Sequence, residues 1–513
     1  MEHPGTLFYL SPKNDKAKEA LSHPENRRFV VPTPSSRGSR FGIGFHVSRV
    51  PGRVIARLGR GSNADIILPE RSISSIHAAF EIHPETKVLL LSVRAKRISS
   101  VVVAPSGSLH EESVDGDCVL VFGQNYDLKI GPYLFSFLWR PGLPYILETL
   151  ALEEYKKAME REQYARSRDL PTVDDSELHT WHNTRIHTAN RPLFREAPGA
   201  RRRRLGRGSY GSVFAAVDSI SGEAFAVKVI DLSQYPGGIE YARSAAHAEV
   251  KHLQRLQHRN IIEFLQSDKW RSNNPEIWMP LRTGSLRDLV ALKETLVTRD
   301  VICDMVLEQM LSALDCTAFN NICHRDVKPE NILYYDSSGG HGQYTFQLAD
   351  FGLAKNQRSA RHYGGTEMYS APEMHLDVQQ TPKVDVWSLF VTLIEIHPET
   401  AFPPPPGFSR KDVFVAVQTA AHQHARLTPM ARKDPESRAS AAQILVALFD
   451  GRGLTTPRNK ISNITSMSYH SYSTTGYAVN LNIRPKPKPE LDPNPVWQTQ
   501  QQGYSQPKLS ALR

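Results

Sequence analysis

Cysteine is scarce in this 513-residue sequence: Cys118, Cys303, Cys316 and Cys323 are the four, and no two stand in a C-x-x-C pair or at a zinc-ligand spacing. That excludes a disulfide framework and a zinc finger, and the expectation is reduced thiols packed as small hydrophobes in an intracellular compartment. Long apolar runs are missing too, none approaching the roughly eighteen residues that cross a bilayer, so no membrane association is expected. The opening MEHPGTLFYL has no basic stretch ahead of a long apolar core and does not read as a secretory signal. Acidic residues are thin at both ends. Residues 1–50 hold four Asp/Glu against eight Lys/Arg and residues 451–513 two against eight, so the net charge of +9 belongs to the ends and the stretch between is at −1. Neither end interleaves basic residues with aromatic ones, which argues against direct nucleic-acid binding.

What is present suffices for two or three domains. Residues 1–37 are dominated by Pro, Ser, Lys and Arg, and residues 451–513 form a basic tail rich in Pro, Gln and Ser; both are expected to be disordered. Residues 38–140 alternate short apolar runs (RVIARLG, ADIILP, HAAFEI, KVLLLSV, DCVLVFG, YLFSFLW) with turn residues, the pattern of an all-β sandwich. A linker over 141–200 contains YILETLALEEYKKAMEREQYARSR, with an apolar face at Leu152, Tyr155 and Met159. This is either a connector helix or a dimerisation helix that would make the protein a homodimer. From 201 to 450, strand and helix patterns mix.

The pentapeptide LGRGS occurs twice, at 58–62 and 205–209, in unlike surroundings. Around the first copy stand Gly59-Arg60, ISSIHA from Ile73 to Ala78, and a DGD turn at Asp115–Asp117. This constellation resembles the forkhead-associated (FHA) domain, a β-sandwich whose end loops bind phosphothreonine peptides. The resemblance implies that Arg60 and Ser74 meet the phosphate, whose oxygens suit a guanidinium fork and a hydroxyl. His77 is either a satisfied structural side chain or a phosphate ligand. Where the family has an N-G-T turn holding the peptide backbone, the chain reads ISSVVV from Ile98, leaving Ser99 or Ser100 for that role with a shorter reach, and Ser75 stands where a basic residue is common.

After the second copy, Gly206, Gly208 and Gly211 make G-x-G-x-x-G, a spacing shared with dinucleotide-binding loops. Such a loop opens a helix, whereas here Val213 and its successors continue as a strand, Ser221-Gly222 turns the chain, and AFAVKVI follows as a second strand. Lys228 on that strand, Glu249 in AAHAEVKHLQRL, HRDVKPEN at 324–331, DFG at 350–352, APE at 371–373, DVWS at 385–388 and Arg438 then come in the order of a protein kinase, which the segment resembles over about half the chain. The resemblance implies ATP and Mg2+ as cofactors. Gly206, Gly208, Gly211 and Val213 would cover the nucleotide, Lys228 paired with Glu249 would hold its phosphates, the Met279 and Leu281 backbones would meet adenine, and Asn331 and Asp350 would bind Mg2+. Asp326 would accept the substrate hydroxyl proton and Lys328 would steady the moving phosphoryl group. Lys328 and, in the activation segment, Thr366 imply Ser and Thr in protein substrates. His362 replaces a phosphorylatable threonine, so activation falls to Ser359 or Tyr363, or the kinase is constitutively competent. Glu330 points to an arginine upstream of the target residue, and Phe390 replaces a common glycine.

Together the motifs describe a multidomain chain: an all-β FHA sandwich, then a bilobal α+β protein kinase fold, with disordered termini. This resembles the checkpoint effector kinases of DNA-damage and meiotic signalling, in the calmodulin-dependent-kinase-like group. The resemblance implies a nuclear protein, with the cytoplasm as second compartment, docked to a phosphothreonine-containing adaptor or partner kinase that raises the local concentration of enzyme. The S/T-Q cluster the family carries before its FHA domain is absent; such pairs occur at Ser233-Gln234, Thr499-Gln500 and Ser505-Gln506. Arg201–Arg204 is either a nuclear signal or the start of the first kinase strand. The competing functional class is an FHA/pseudokinase scaffold that binds phosphoproteins without catalysis.

Overall fold

The computed structural model describes residues 3–141 apart from 34–37, 51–52, 96–100, 108–111 and 115; residues 195–196; and residues 202–464 apart from 209–210, 236, 293–294, 337–341, 357–365, 377, 401 and 403–408. Ser99, Ser100, Ser359, His362, Tyr363, the 145–168 segment and the tail S/T-Q pairs lie outside the described residues.

The N-terminal part is built from β1 (Thr6–Pro12), α1 (Asp15–Ser22), β2 (Val30–Pro32), β3 (Ser39–Gly44), β4 (Val54–Gly59), β5 (Ile66–Ile67), β6 (Ala78–Ile82), β7 (Leu89–Val93), β8 (Val101–Pro105), β9 (Glu112–Ser113), β10 (Asp117–Leu120), β11 (Tyr126–Ile130) and β12 (Tyr133–Trp139). Two sheets form, in the orders β2-β3-β1-β12-β11-β8-β9 and β10-β7-β6-β4-β5. They pack face to face: Phe80 of the second sheet lies 4.9 Å from Phe8 and 6.1 Å from Phe137 of the first, ring centre to ring centre. These rings are buried together with Leu, Ile and Val side chains from both sheets.

The expected disorder of residues 1–37 is corrected for residues 3–33. Composition across that stretch hides TLFYL, whose Leu7, Phe8, Tyr9 and Leu10 are all buried because β1 is a central strand, paired with β3 on one side and β12 on the other. Asn14 caps α1 by accepting from the Ala17 amide at 2.9 Å, and its side-chain NH2 donates to the Pro132 carbonyl at 2.8 Å, which pins the helix to the β11–β12 turn. Ala17, Ala20, Leu21 and Phe29 then complete the core.

The second part begins with a five-stranded sheet, β13 (Arg203–Gly208), β14 (Gly211–Val217), β15 (Ala224–Ile230), β16 (Gln266–Asp268) and β17 (Glu276–Pro280), in the order β13-β14-β15-β17-β16, with α2 (Gly238–Arg255) beside it. Within the basic run, Arg203 and Arg204 open β13, and Arg202 bridges Glu196 (2.6 Å) and Glu276 (2.8 Å), while Arg201 lies outside the described residues. The rest is mainly helical: α3 (Leu286–Ala291), α4 (Arg299–Phe319), α5 (Lys383–Ile396), α6 (Arg410–Gln423) and α7 (Ala441–Phe449), with short strands β18 (Gly284–Ser285), β19 (Ile322–Cys323), β20 (Ile332–Asp336), β21 (Tyr344–Leu348) and β22 (Lys355–Asn356). Phe390 is fully buried on α5, a helix apolar on nearly all sides that forms the centre of this lobe.

One boundary differs from expectation. Residues just beyond 450 dock rather than leave: Gly453 accepts from Ser312 at 2.6 Å, and the buried Asp315 takes the amides of Thr455 and Thr456 at 2.7 and 2.8 Å. A side-chain donor, Ser312, and an acceptor, Asp315, both on α4, thus hold a stretch that its composition assigns to a free tail. The sandwich also meets the kinase sheet. The β14–β15 turn places Val217 against Leu90 and Val119, the Val119 amide donates to Ser219 O at 2.8 Å, and the Thr86 hydroxyl donates to Gly222 O at 2.7 Å. Gly222 has φ +74°, and a side chain there would come within 3.0 Å of Leu90, so turn and contact both require glycine.

One buried ion pair locks the helical lobe. Arg438 binds Glu373 through both Nη atoms, at 2.5 and 3.0 Å, and gives its other donors to the carbonyls of Arg432, Lys433 and Lys383. A buried charge is costly when its partner is removed, about 3–5 kcal/mol. Arg438→Ala should therefore lower the stability of the helical lobe by that amount in urea unfolding followed by tryptophan fluorescence; a loss below about 1 kcal/mol would contradict this account.

Candidate active site

Strand register builds the nucleotide face. β14 pairs Val213 with Lys228 and β15 pairs Lys228 with Ile277, while Ala215, Ala226 and Met279 form the next row. Directly opposed residues project to the same face, so Val213, Lys228 and Met279 share one side of the sheet. This changes the role expected of Met279. β17 runs through Pro280, opposite Phe225, so Met279 sits inside the ladder and offers its side chain to this face, and the backbone that leaves the strand is Leu281 and Arg282. Sequence does not give that register, because Pro280 marks the strand end but not which residues of β15 stand opposite.

The three glycines divide. A side chain at Gly211 would strike Val229 O at 2.1 Å, so packing demands glycine there. At Gly206 and Gly208 a Cβ would meet nothing within 4 Å, so those positions keep the loop backbone approachable from outside.

Lys228 Nζ is 2.6 Å from Glu249 Oε1 on α2 and 2.7 Å from Asp350 Oδ1. Burial works against both charge signs here and wins at Glu249, which is pushed above the usual carboxylate range despite its lysine. At Lys228 burial is outweighed by Asp350 and Glu249, which hold it firmly protonated. At Asp350 burial is outweighed by the Lys228 charge and hydrogen bond, and the carboxyl falls to about 2. Although crowded by neighbours, its side chain keeps 48% of its surface open to the cleft. Asp350 has φ +63°, and Phe351 beside it is buried with its ring 4.6 Å from that of His324.

Asp326 is held from four directions. Oδ1 accepts the Thr366 hydroxyl at 2.9 Å and amide at 3.0 Å; Oδ2 accepts Lys328 Nζ at 2.8 Å and Asn331 Nδ2 at 2.9 Å. Lys328 also donates to Thr366 Oγ1 at 2.8 Å, which closes a triangle of Asp326, Lys328 and Thr366. The loop beneath owes its shape to Asp385 on α5, whose buried carboxylate accepts the amides of His324 and Arg325 at 2.7 Å each and so supports Arg325 at φ +72°. DVWS signals this residue in the sequence, though not its task. Burial lowers the pKa of His324, and its Nε2 donates to Ala349 O at 3.0 Å, which ties this loop to the strand before Asp350. Arg325 Nε donates to Gln380 Oε1 at 2.9 Å.

The donor set fits Mg2+. The Asn331 NH2 group is committed to Asp326 O (2.8 Å) and Oδ2, leaving its carbonyl oxygen, and the Lys228 and Gly352 contacts of Asp350 both fall on Oδ1, leaving Oδ2. Two hard oxygens remain for a hard cation. Glu330 is not available in the way its position implies: its Oε1 binds Arg287 Nε at 2.8 Å. Sequence gave no signal of that pairing.

In the sandwich, Arg60 and Ser74 are brought together on adjacent loops, the Arg60 amide donating to Ser74 O at 2.9 Å and the Gly61 amide to Ser75 O at 2.9 Å. A side chain at Gly59 would strike Ser75 O at 2.0 Å, so the close approach of the loops requires glycine. Arg60 is exposed, with Nε donating to Ile73 O at 3.2 Å. His77 is buried and accepts from the Ser74 amide through Nδ1 at 3.1 Å, the structural one of its two roles.

Residues 200–449 match the family model described as protein kinase domain. The chain is 27% identical over 279 residues to the serine/threonine-protein kinase pakG of Dictyostelium discoideum, covering 50% of this chain and 22% of that protein. It is 30% identical over 221 residues to calcium-dependent protein kinase 5 of Plasmodium berghei (strain Anka), covering 42% of this chain and 36% of that protein. The match thus spans about a fifth to a third of those relatives. From residue 200 to residue 449 this chain is a protein kinase domain of the kind found in serine/threonine kinases.

Proposed function

We propose that the protein transfers the γ-phosphate of ATP to serine and threonine hydroxyls of protein substrates. The observation that carries this is the closed triangle of Asp326, Lys328 and Thr366 together with the intact contact of Lys228 to Glu249 and Asp350. Lys228 binds the nucleotide phosphates and Glu249 orients it. Asn331 and Asp350 would hold Mg2+, which would supply neutralisation of phosphate charge. Asp326 takes the proton of the attacking hydroxyl as its oxygen bonds to the γ-phosphorus and the bond to the departing ADP breaks, and Lys328 balances charge on the transferred group. Thr366 holds both residues where a substrate hydroxyl must arrive, which favours Ser and Thr as acceptors.

The sandwich is proposed to be an FHA module that recruits the enzyme to phosphothreonine partners. Arg60 and Ser74, set side by side by the backbone contacts of their loops, support that reading. From the pairing of the two modules we further propose a role in DNA-damage or meiotic checkpoint signalling, with the nucleus as the compartment.

Asp326→Asn should cut phosphate transfer from Mg-ATP to a Ser/Thr peptide by about a hundred- to ten-thousandfold while nucleotide binding persists. Equal residual activity in both proteins would leave only a scaffold. Lys228→Met should instead weaken ATP itself, by about tenfold or more, since a charge-assisted contact is lost; unchanged affinity in calorimetric titration counts against the assigned role. Arg60→Ala should weaken binding to a phosphothreonine peptide library by about ten- to a hundredfold. Wild-type protein that binds none of the library rules out the recruitment role.

A further inference from the structure

Beside the catalytic triangle lies a second cluster that the reaction does not use. Glu330 stands four residues after Asp326, and Tyr369 three after Thr366. Between them is Arg287 on α3, with Nε 2.8 Å from Glu330 Oε1, and Nη2 2.9 Å from the Tyr369 hydroxyl and 2.8 Å from Glu395 Oε1. The Tyr369 hydroxyl donates in turn to Glu395 Oε2 at 2.6 Å. Glu395 is 6% exposed, Arg287 36% and Glu330 46%, so the cluster has a buried floor and an open rim.

Two carboxylates next to Asp326 would, left alone, attract a cationic side chain from any peptide presenting its hydroxyl there. Here a cation of the protein already occupies that place. Burial works to lower the Arg287 pKa, but Glu330 and Glu395 outweigh it and hold the guanidinium charged. Its helix is fixed by the Ser285/Asp288 capping box, so the arginine is supplied in position. A peptide arginine would have to displace it, stranding Glu395 without its charge partner.

We propose that Arg287 is a specificity-determining residue that fills, from within the chain, the position a substrate arginine would otherwise take, so that the enzyme acts on peptides without a basic residue near the target hydroxyl. This rests on the kinase reading above. It replaces the expectation that Glu330 selects an upstream arginine: the carboxylate is present and already paired.

The test uses the full-length protein and matched serine peptides carrying Ala or Arg at each of the three positions before the serine. Wild type should show kcat/KM ratios (Arg over Ala) within about threefold of one. Arg287→Gln, which keeps hydrogen-bonding capacity for Tyr369 and Glu395 but removes the charge, should raise the ratio at one position by about ten- to a hundredfold, mainly through KM. Adding Glu330→Gln to that variant should abolish the gain, an outcome that a merely structural arginine does not produce. A strong arginine preference in wild type, or an unchanged ratio in Arg287→Gln with activity retained, overturns the proposal. Absence of transfer to every peptide, with wild type no better than Asp326→Asn, overturns it too, and is recognised as a failure of the kinase reading because no ratio exists to compare.

Discussion

Three elements of separate origin converge on the Lys228 ammonium: β15 supplies the lysine, α2 the Glu249 carboxylate, and the turn after β21 the Asp350 carboxylate. Each contact alone would be a modest interaction. Their shared ammonium makes them interdependent, since removing the lysine would leave the buried Glu249 carboxylate and the Asp350 carboxylate without their common counter-charge. The sheet therefore cannot shift against α2, or α2 against the Asp350 turn, without breaking a charge pair. The catalytic arrangement is an equilibrium position of the lobes rather than of any one loop.

The kinase residues were legible in the sequence because chemistry fixes both their identity and their order, so Lys228, Glu249, Asp326, Asn331 and Asp350 could be named from motifs, and the structure brings them into one cleft. What stayed hidden shares a physical character. The burial of β1 was invisible because TLFYL is short and lies among polar residues, and only its place between two strands makes it core. The side-chain role of Met279 depends on where a ladder ends. The pairing of Arg287 with Glu330 joins residues 43 apart in sequence, and nothing local in either segment announces the other. Backbone register and tertiary charge pairing are collective properties, and they decided the places where motif reading went astray.

The two LGRGS copies are a case in point. In the first, Gly59 permits contact with the Ser75 carbonyl and Arg60 is the presented group; in the second, Gly206 and Gly208 face open space on a strand edge and no tight contact requires them. Identical letters thus serve opposite steric purposes, one closing two loops together and the other keeping a surface clear. Both suit phosphate by different means, a side-chain cation in one and bare backbone in the other.

The contact between the β14–β15 turn and the sandwich decides what one sheet edge presents to its surroundings. β10 is an outer strand of its sheet, with Val119 and the neighbouring Leu90 forming an apolar patch, and it is there that Ser219 and Val217 settle. An uncovered strand edge with apolar flanks is a template for further strands. The kinase hairpin covers that edge where Ser219 O takes the Val119 amide, so a fragment cut after residue 141 would leave that amide and the Leu90–Val119 patch uncovered.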